Sequence, residues 1–342
     1  MALGEGTESL SVELDRPDGR YRAGETVRGV VTLGGVDERV RGVDVKLRWS
    51  TSGKGNTDQQ DVRTLRLPVA ALGGRARTTF ELPLPSGPVS YQGPIIQVAW
   101  QVLVSVDVAW ARDPSRELPI EVLPGDPYAG ADVYRASAAP LRHALGPDTE
   151  PAGSTKARST GMTVAGTVLF GAFATQFGTI GYVLAPLFFL AAGATLWGAA
   201  RRSGARHVLG EPRFELVPAE LRRGESITAR VTVQPRRAMA FVDGDAELHG
   251  REIAVHGGGS SATTHNQDLH RDEVELEGPS ELRAGQLITL SATLQLPRDA
   301  APSFGSPSNH VSWTVTIAVR ARTAGGVKHE LEEELVLHVQ PS

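Results

Sequence analysis

Apolar and polar residues alternate with a period of two over several short stretches, and those stretches gather at the two ends of the chain. Val27–Leu33, Val43–Trp49, Val98–Val108 and Ile120–Val122 lie toward one end; Ile227–Val233, Leu287–Leu296, Val311–Val319 and Leu331–Val339 lie toward the other. Alternation with many β-branched residues marks a strand with one buried face. Gly, Pro and Asp punctuate the runs at short intervals, and neither end shows a long 3.6-residue period. The pattern predicts β-sandwiches rather than βαβ units.

The middle of the chain reads differently. Between Arg158 and Arg201 no residue is charged, and the interval, Ser159 to Ala200, is 42 residues long. One helix of that length would reach about 63 Å, twice the roughly 30 Å of a bilayer's hydrocarbon core. Two spans fit better, with Gly178-Thr179-Ile180-Gly181 as the reversal. The expected helices are Thr160–Phe177 and Tyr182–Ala200, with Pro186 in the first turn of the second, where its missing N–H matters little. Small residues recur at four-residue spacing (Gly161/Ala165, Ala174/Gly178, Ala194/Gly198), which lets helices approach closely in lipid. Tyr182 and Trp197 stand near the ends of the second helix, where interfacial aromatics belong. Lys156 and Arg158 precede the run and Arg201, Arg202 and Arg206 follow it, so the positive-inside rule sets both ends, and both termini, on the cytoplasmic side.

Charge supports that division. Residues 1–122 carry 15 basic and 16 acidic side chains, residues 123–210 carry 7 and 4, and residues 211–342 carry 13 and 19. The basic excess surrounds the uncharged run, where anionic lipid favours it. The overall charge of −4 argues against a nucleic-acid partner. There is no cysteine, which excludes disulfides, thiolate zinc sites and cysteine nucleophiles. The opening MALGEGTESL has no basic n-region or apolar h-region, so no secretory signal is expected, and Ala2 stands where N-myristoylation needs glycine.

The two ends also match each other. Tyr21-Arg-Ala-Gly24-Glu25-Thr-Val27 parallels Leu221-Arg-Arg-Gly224-Glu225-Ser-Ile227, and Phe80-Glu-Leu82-Pro83 parallels Leu294-Gln-Leu296-Pro297. Ser90-Tyr91 precedes Trp100 as Ser303-Phe304 precedes Trp313. Order and spacing agree through the series, as an internal duplication leaves them.

This series resembles the arrestin-like fold, in which two sandwiches stand in tandem in arrestins, the retromer cargo subunit and bacterial sporulation-control proteins. The first end carries the pattern in full: Tyr21, Gly24, Glu25, Val27, Gly29, Val31, Leu82-Pro83, Ser90-Tyr91-Gln-Gly93 and Trp100. The second has Ala229 for the second glycine and Phe304-Gly305 for Tyr-x-Gly. The resemblance implies two immunoglobulin-like sandwiches in a mainly β chain and, combined with the uncharged run, gives a sandwich at 1–122, a linker at 123–159, a transmembrane hairpin at 160–200, a basic linker at 201–210 and a second sandwich at 211–342. The family's short interdomain linker is replaced here by the long central segment.

Candidate chemistry is sparse. Gly24 and Gly224 suit turns with positive φ, and Glu25 and Glu225 open the following strands. Trp100 and Trp313 are expected as core anchors, and Trp49 and Trp110 likewise. His249, His256, His265 and His270 cluster in sequence around Gly257–Thr264, but without ligand-pair spacing; a solvated polar loop is expected and no metal. Gly53-Lys-Gly-Asn-Thr57 lacks the register of a phosphate loop. Glu332, Glu333 and Glu334 fit a solvated strand edge. No catalytic, cofactor or metal residue is assigned.

The sequence therefore predicts a non-catalytic, membrane-anchored scaffold of a prokaryotic inner or plasma membrane. Its partners are the bilayer, through 160–200, and an unidentified protein, with homo-oligomers open through the small-residue helix faces. The competing reading is a pore-forming assembly of hairpins, lined by Thr175, Gln176 and Thr179.

Overall fold

The computed structural model describes residues 9–36, 40–67, 74–110, 113–125 and 205–341. The expected hairpin at 160–200, with its lumen-lining alternative, lies outside the described residues, as do 126–159 and 201–204. Among the described residues no helix is long and apolar enough to cross a membrane.

The first half comprises β1 (Ser9–Leu14), β2 (Arg20–Arg22), β3 (Thr26–Val36), β4 (Val40–Gly53), β5 (Gln59–Leu67), β6 (Gly74–Pro83), β7 (Tyr91–Gln92), β8 (Ile96–Val108) and β9 (Ser115–Leu123). The second comprises β10 (Arg213–Val217), β11 (Glu220–Leu221), β12 (Ser226–Val233), β13 (Met239–His256), β14 (Thr263–Glu275), β15 (Glu281–Leu282), β16 (Ile288–Gln295), β17 (Phe304–Gly305), β18 (Asn309–Thr323) and β19 (Lys328–Val339). The first half pairs β1-β3-β6 in one sheet and β2-β9-β8-β4-β5 in the other, with β7 on β8. The second half repeats this strand for strand: β10-β12-β16, then β11-β19-β18-β13-β14, with β17 on β18. Only β15, which pairs with β13, is added. In both halves the short second strand joins the last strand in parallel while its neighbours run antiparallel.

Alternation builds the cores. Along β8 every second side chain, Ile96, Val98, Trp100, Val102, Val104, Val106 and Val108, is buried. At about 1.5–3 kcal/mol for each fully buried side chain, this one strand is a large driving term. The matched sequence features make matched contacts. Gly24 and Gly224 adopt φ of 85° and 74°, and their N–H groups donate to Pro85 O and Pro297 O at 3.1 Å each. The carboxylates of Glu25 and Glu225 each accept from the N–H three residues earlier, at 2.7 and 2.8 Å. Trp100 and Trp313 are each 1% exposed and donate their indole N–H to Pro88 O (3.0 Å) and Ala301 O (2.9 Å). The Ser90 and Ser303 hydroxyls each accept the N–H of the closing strand, from Val122 and Val339.

Three expectations are corrected. Trp110 is not a core residue: it is 99% exposed with φ of 61°, at the turn after β8 where the alternation ends. The segment 249–270 is not a loop: β13 runs through His256, a 3-10 turn covers Gly259–Ser261, and β14 starts at Thr263. The predicted strand at Leu287 begins one residue later, and Leu287 itself is 68% exposed. Glu332 and Glu334 are exposed as expected, whereas Glu333 is partly buried beside Arg206 at 3.5 Å.

Candidate functional site

The two halves meet through the same end of each: the β4–β5 turn and the β7–β8 turn of the first, and the β13–β14 turn and the β17–β18 turn of the second. Hydrophobic burial is continuous across the joint, since Ala254, Phe304 and Val311 of the second half belong to the first half's core. Phe304 meets Trp49 edge-on, with ring centroids 5.7 Å apart. Trp49 is thus buried, as expected, but against the other half.

Polar groups inside this joint are paired reciprocally. Glu252, fully buried, accepts from the Tyr91 hydroxyl at 2.6 Å and the Ile95 N–H at 2.8 Å. In the opposite direction Asp58 accepts from the Ser306 hydroxyl at 2.6 Å, the Ser308 N–H at 2.8 Å and the Asn309 amide at 2.9 Å. Ile95 and Ser308 occupy equivalent places, each just before the long inner strand of its half. Each half therefore lends a carboxylate to the same loop of the other. Asn56 adds a clamp: its N–H donates to Val255 O, its side-chain amide donates to Gly257 O, and its Oδ1 accepts from the Gly257 N–H at 3.0 Å. The Asn309 amide also reaches Thr51 Oγ1 and Asn56 O.

Gly93 is a requirement of this geometry. A Cβ there would fall inside the contact radius of the Glu252 carboxylate and the Tyr91 hydroxyl. Burial, and then the hydrogen bond to Glu252, push the Tyr91 hydroxyl's pKa well above the usual phenol range. Burial lowers the pKa of His310, with Asp58 opposing it.

Beside the joint a groove of about 90 Å³ runs between the loop from Pro85 to Val89 and the segment Pro302–Gly305. Tyr91 and Phe304 form part of its wall, His338 comes from the end of β19, and Pro341 from the chain just after it. The lining is mostly apolar and rich in proline. Its volume equals about three waters, room for one short branched or cyclic side chain. Burial lowers the pKa of His338 as well, against the opposing effect of Glu220.

The other sequence-selected residues do not converge. His249 pairs with Asp268 at 2.8 Å, His270 lies against Trp313, and His256 and His265 sit further along the same hairpin. Among the described residues no three metal-ligating side chains are placed to hold an ion. The loop Gly53–Thr57 serves the joint through Asn56. Glu252, Asp58 and Asn309 carried no motif; for Glu252 the one signal was a carboxylate at an inward position, in step with Leu248, Gly250 and Ala254.

Comparison with known proteins adds little. No family model matches the chain, and no curated protein matches it. Among solved structures it is similar to the sporulation control protein Spo0M of Bacillus subtilis, at 17% identity and a TM-score of 0.28, over 38% of this chain and 49% of that one. The chain thus spans about half the length of that protein. A likeness of that size carries no assignment, and the fold rests on the repeated strand order.

Proposed function

We propose that the chain is a non-catalytic, membrane-anchored binding protein. Two arrestin-like sandwiches, fused into one body by the joint, stand on the cytoplasmic side of the membrane on the hairpin at 160–200. The groove takes an extended apolar or proline-bearing segment of a partner protein. The observation that carries this reading is the groove itself: concave, mostly apolar and formed by both halves, as binding clefts between domains commonly are. Prolines at 85, 88, 302 and 341 hold the walls in a fixed shape, so the groove itself loses little entropy on docking, and a proline-bearing ligand, already extended, loses little of its own. The uncharged run with basic flanks supports the anchor, which raises the local concentration of membrane partners.

The test places a photo-crosslinking residue at Pro85, on the groove rim, or at Val336, on an exposed strand face, and irradiates native membranes. A discrete crosslinked protein from position 85, absent from position 336 and lost when Pro341→Trp narrows the groove, is the expected result. Identical adducts from both positions would remove the groove from the account.

A further inference from the structure

The end of the second sandwich opposite the joint has a composition unlike the rest of that half. Four segments come together there: the helical turn at 205–209, the β12–β13 turn, β15 with the chain after it, and the β18–β19 turn. Pairing fixes this, because Met239 faces both Thr323 and Leu282, Arg236 N–H donates to Val208 O, and Gly285 N–H donates to Pro235 O. Residues 205–210, 234–240, 281–288 and 322–328 contain six Arg or Lys and one carboxylate, Glu281. Residues 211–342 as a whole contain 13 basic and 19 acidic side chains, so this end reverses the sign of its half. Arg236, Arg237, Arg322 and Lys328 are exposed, and among the described residues none has a carboxylate within ion-pair distance.

A second feature is independent of charge. Leu287 is 68% exposed and Val327 56% exposed, and both stand on turns of this same end. Further along the strands the outer face is net acidic: Glu332 and Glu334 on β19 and Asp245 and Glu247 on β13 flank β18, with Glu275 and Glu273 next on β14; Arg320, Arg271 and Arg251 offset only Asp245, Glu247 and Glu334. Cations and apolar tips at one end with a carboxylate belt behind them are what an anionic bilayer would orient end-on, each surface cation contributing on the order of fivefold in partitioning. The chain's path adds the third argument. The uncharged run ends at Ala200 and the described part of the second half opens at 205, a separation that the chain bridges over about 17 Å at most. The other half leaves at Gly125, at the joint, with more than 30 residues before the run.

We infer that this end of the second sandwich lies on anionic lipid, with Leu287 and Val327 at the headgroup level and Arg236, Arg237, Arg322 and Lys328 on lipid phosphates. The inference rests on the anchoring proposed above, and its test separates the two. The chain lacks cysteine, so Val327→Cys or Val336→Cys carries a fluorophore at one site. Full-length protein is reconstituted into phosphatidylcholine vesicles with or without 30% phosphatidylglycerol, each containing nitroxide-labelled lipid. Quenching at 327 several-fold above that at 336, confined to anionic vesicles and abolished by R236E/R237E/R322E/K328E with an unchanged thermal midpoint, is the expected result. The neutral set R236Q/R237Q/R322Q/K328Q gives the same loss if the reversed one folds poorly. Alkaline carbonate then reports the anchor. Retention without quenching at 327 overturns the docking and leaves the anchor; quenching with carbonate release keeps the docking and removes the anchor; neither signal removes both.

Discussion

Gly93 and Glu252 give the sharpest test of the joint, because they lie on different halves and meet nowhere else. Glu252→Ala removes the acceptor of a buried hydroxyl and a buried N–H. Each orphaned group costs about 1–3 kcal/mol, so the variant loses about 2–6 kcal/mol. Gly93→Ala drives a methyl into the Glu252 carboxylate and the Tyr91 hydroxyl. Overpacking of this kind costs about 1–3 kcal/mol, and displacing the charge-assisted hydrogen bond adds about 1.5–3 kcal/mol. If the two losses were independent, the double variant would lose their sum. The geometry predicts otherwise: the carboxylate is the group nearest the added methyl, so its removal relieves the main overlap and releases the Tyr91 hydroxyl from its partner. Gly93→Ala/Glu252→Ala is expected within about 1 kcal/mol of Glu252→Ala alone, a coupling of about 1.5–6 kcal/mol. Urea titration of the full chain in detergent, followed by the fluorescence of its buried tryptophans, measures the midpoints at constant slope. Additivity within about 0.5 kcal/mol would mean that Gly93 and Glu252 do not share a contact, and the joint as described would be wrong.

Other outcomes follow from features already set out. Ser90→Ala and Ser303→Ala each remove one side-chain acceptor from a strand N–H at 2.8 and 2.9 Å and are expected to lose similar stability, about 1 kcal/mol each by thermal melting; unequal losses would argue against equivalent halves. Trp110→Gly relieves a left-handed residue and is expected to be neutral or stabilising by about 1 kcal/mol, whereas Trp49→Ala opens the joint and costs about 3–5 kcal/mol. His310 and His338 have pKa values lowered in the fold by burial, so the unfolded chain takes up their protons first. Stability is therefore expected to be level above about pH 7 and to fall below about 6.5, by at most about 1.4 kcal/mol per pH unit and histidine. His310→Gln flattens that limb. Glu25 and Asp61, held low by Arg16 and Arg48, act only in more acid solution.

The β architecture was legible because alternation survives wherever one face is buried, as along β8, and because paired motifs such as Gly24/Gly224 and Trp100/Trp313 recur in order. The joint was not. Its residues act singly, and a carboxylate such as Glu252 on a strand reads as solvated until its inward parity is noticed. Asn56 and Asp58 lie in a turn whose glycines resemble any other reversal. Trp110 misled by its apolarity, since composition does not tell a turn from a strand end. The histidines misled in the opposite sense, because a glycine-rich stretch suggested a loop reaching all four of them, where only six residues, 257–262, separate β13 and β14.

The reciprocity of the joint has one more consequence. Glu252 serves the loop before β8, and Asp58 serves the equivalent loop before β18. The two carboxylates do not stand at equivalent positions: Trp49 faces Trp100 where Gly250 faces Trp313, so Glu252 occupies the place that Thr51 holds in the first half. The joint is therefore complementary rather than self-complementary, and it specifies one half for the other. Cleaving the chain between 126 and 158 should leave both fragments associated, whereas a first unit expressed alone, with Thr51 in place of Glu252, should not pair with itself.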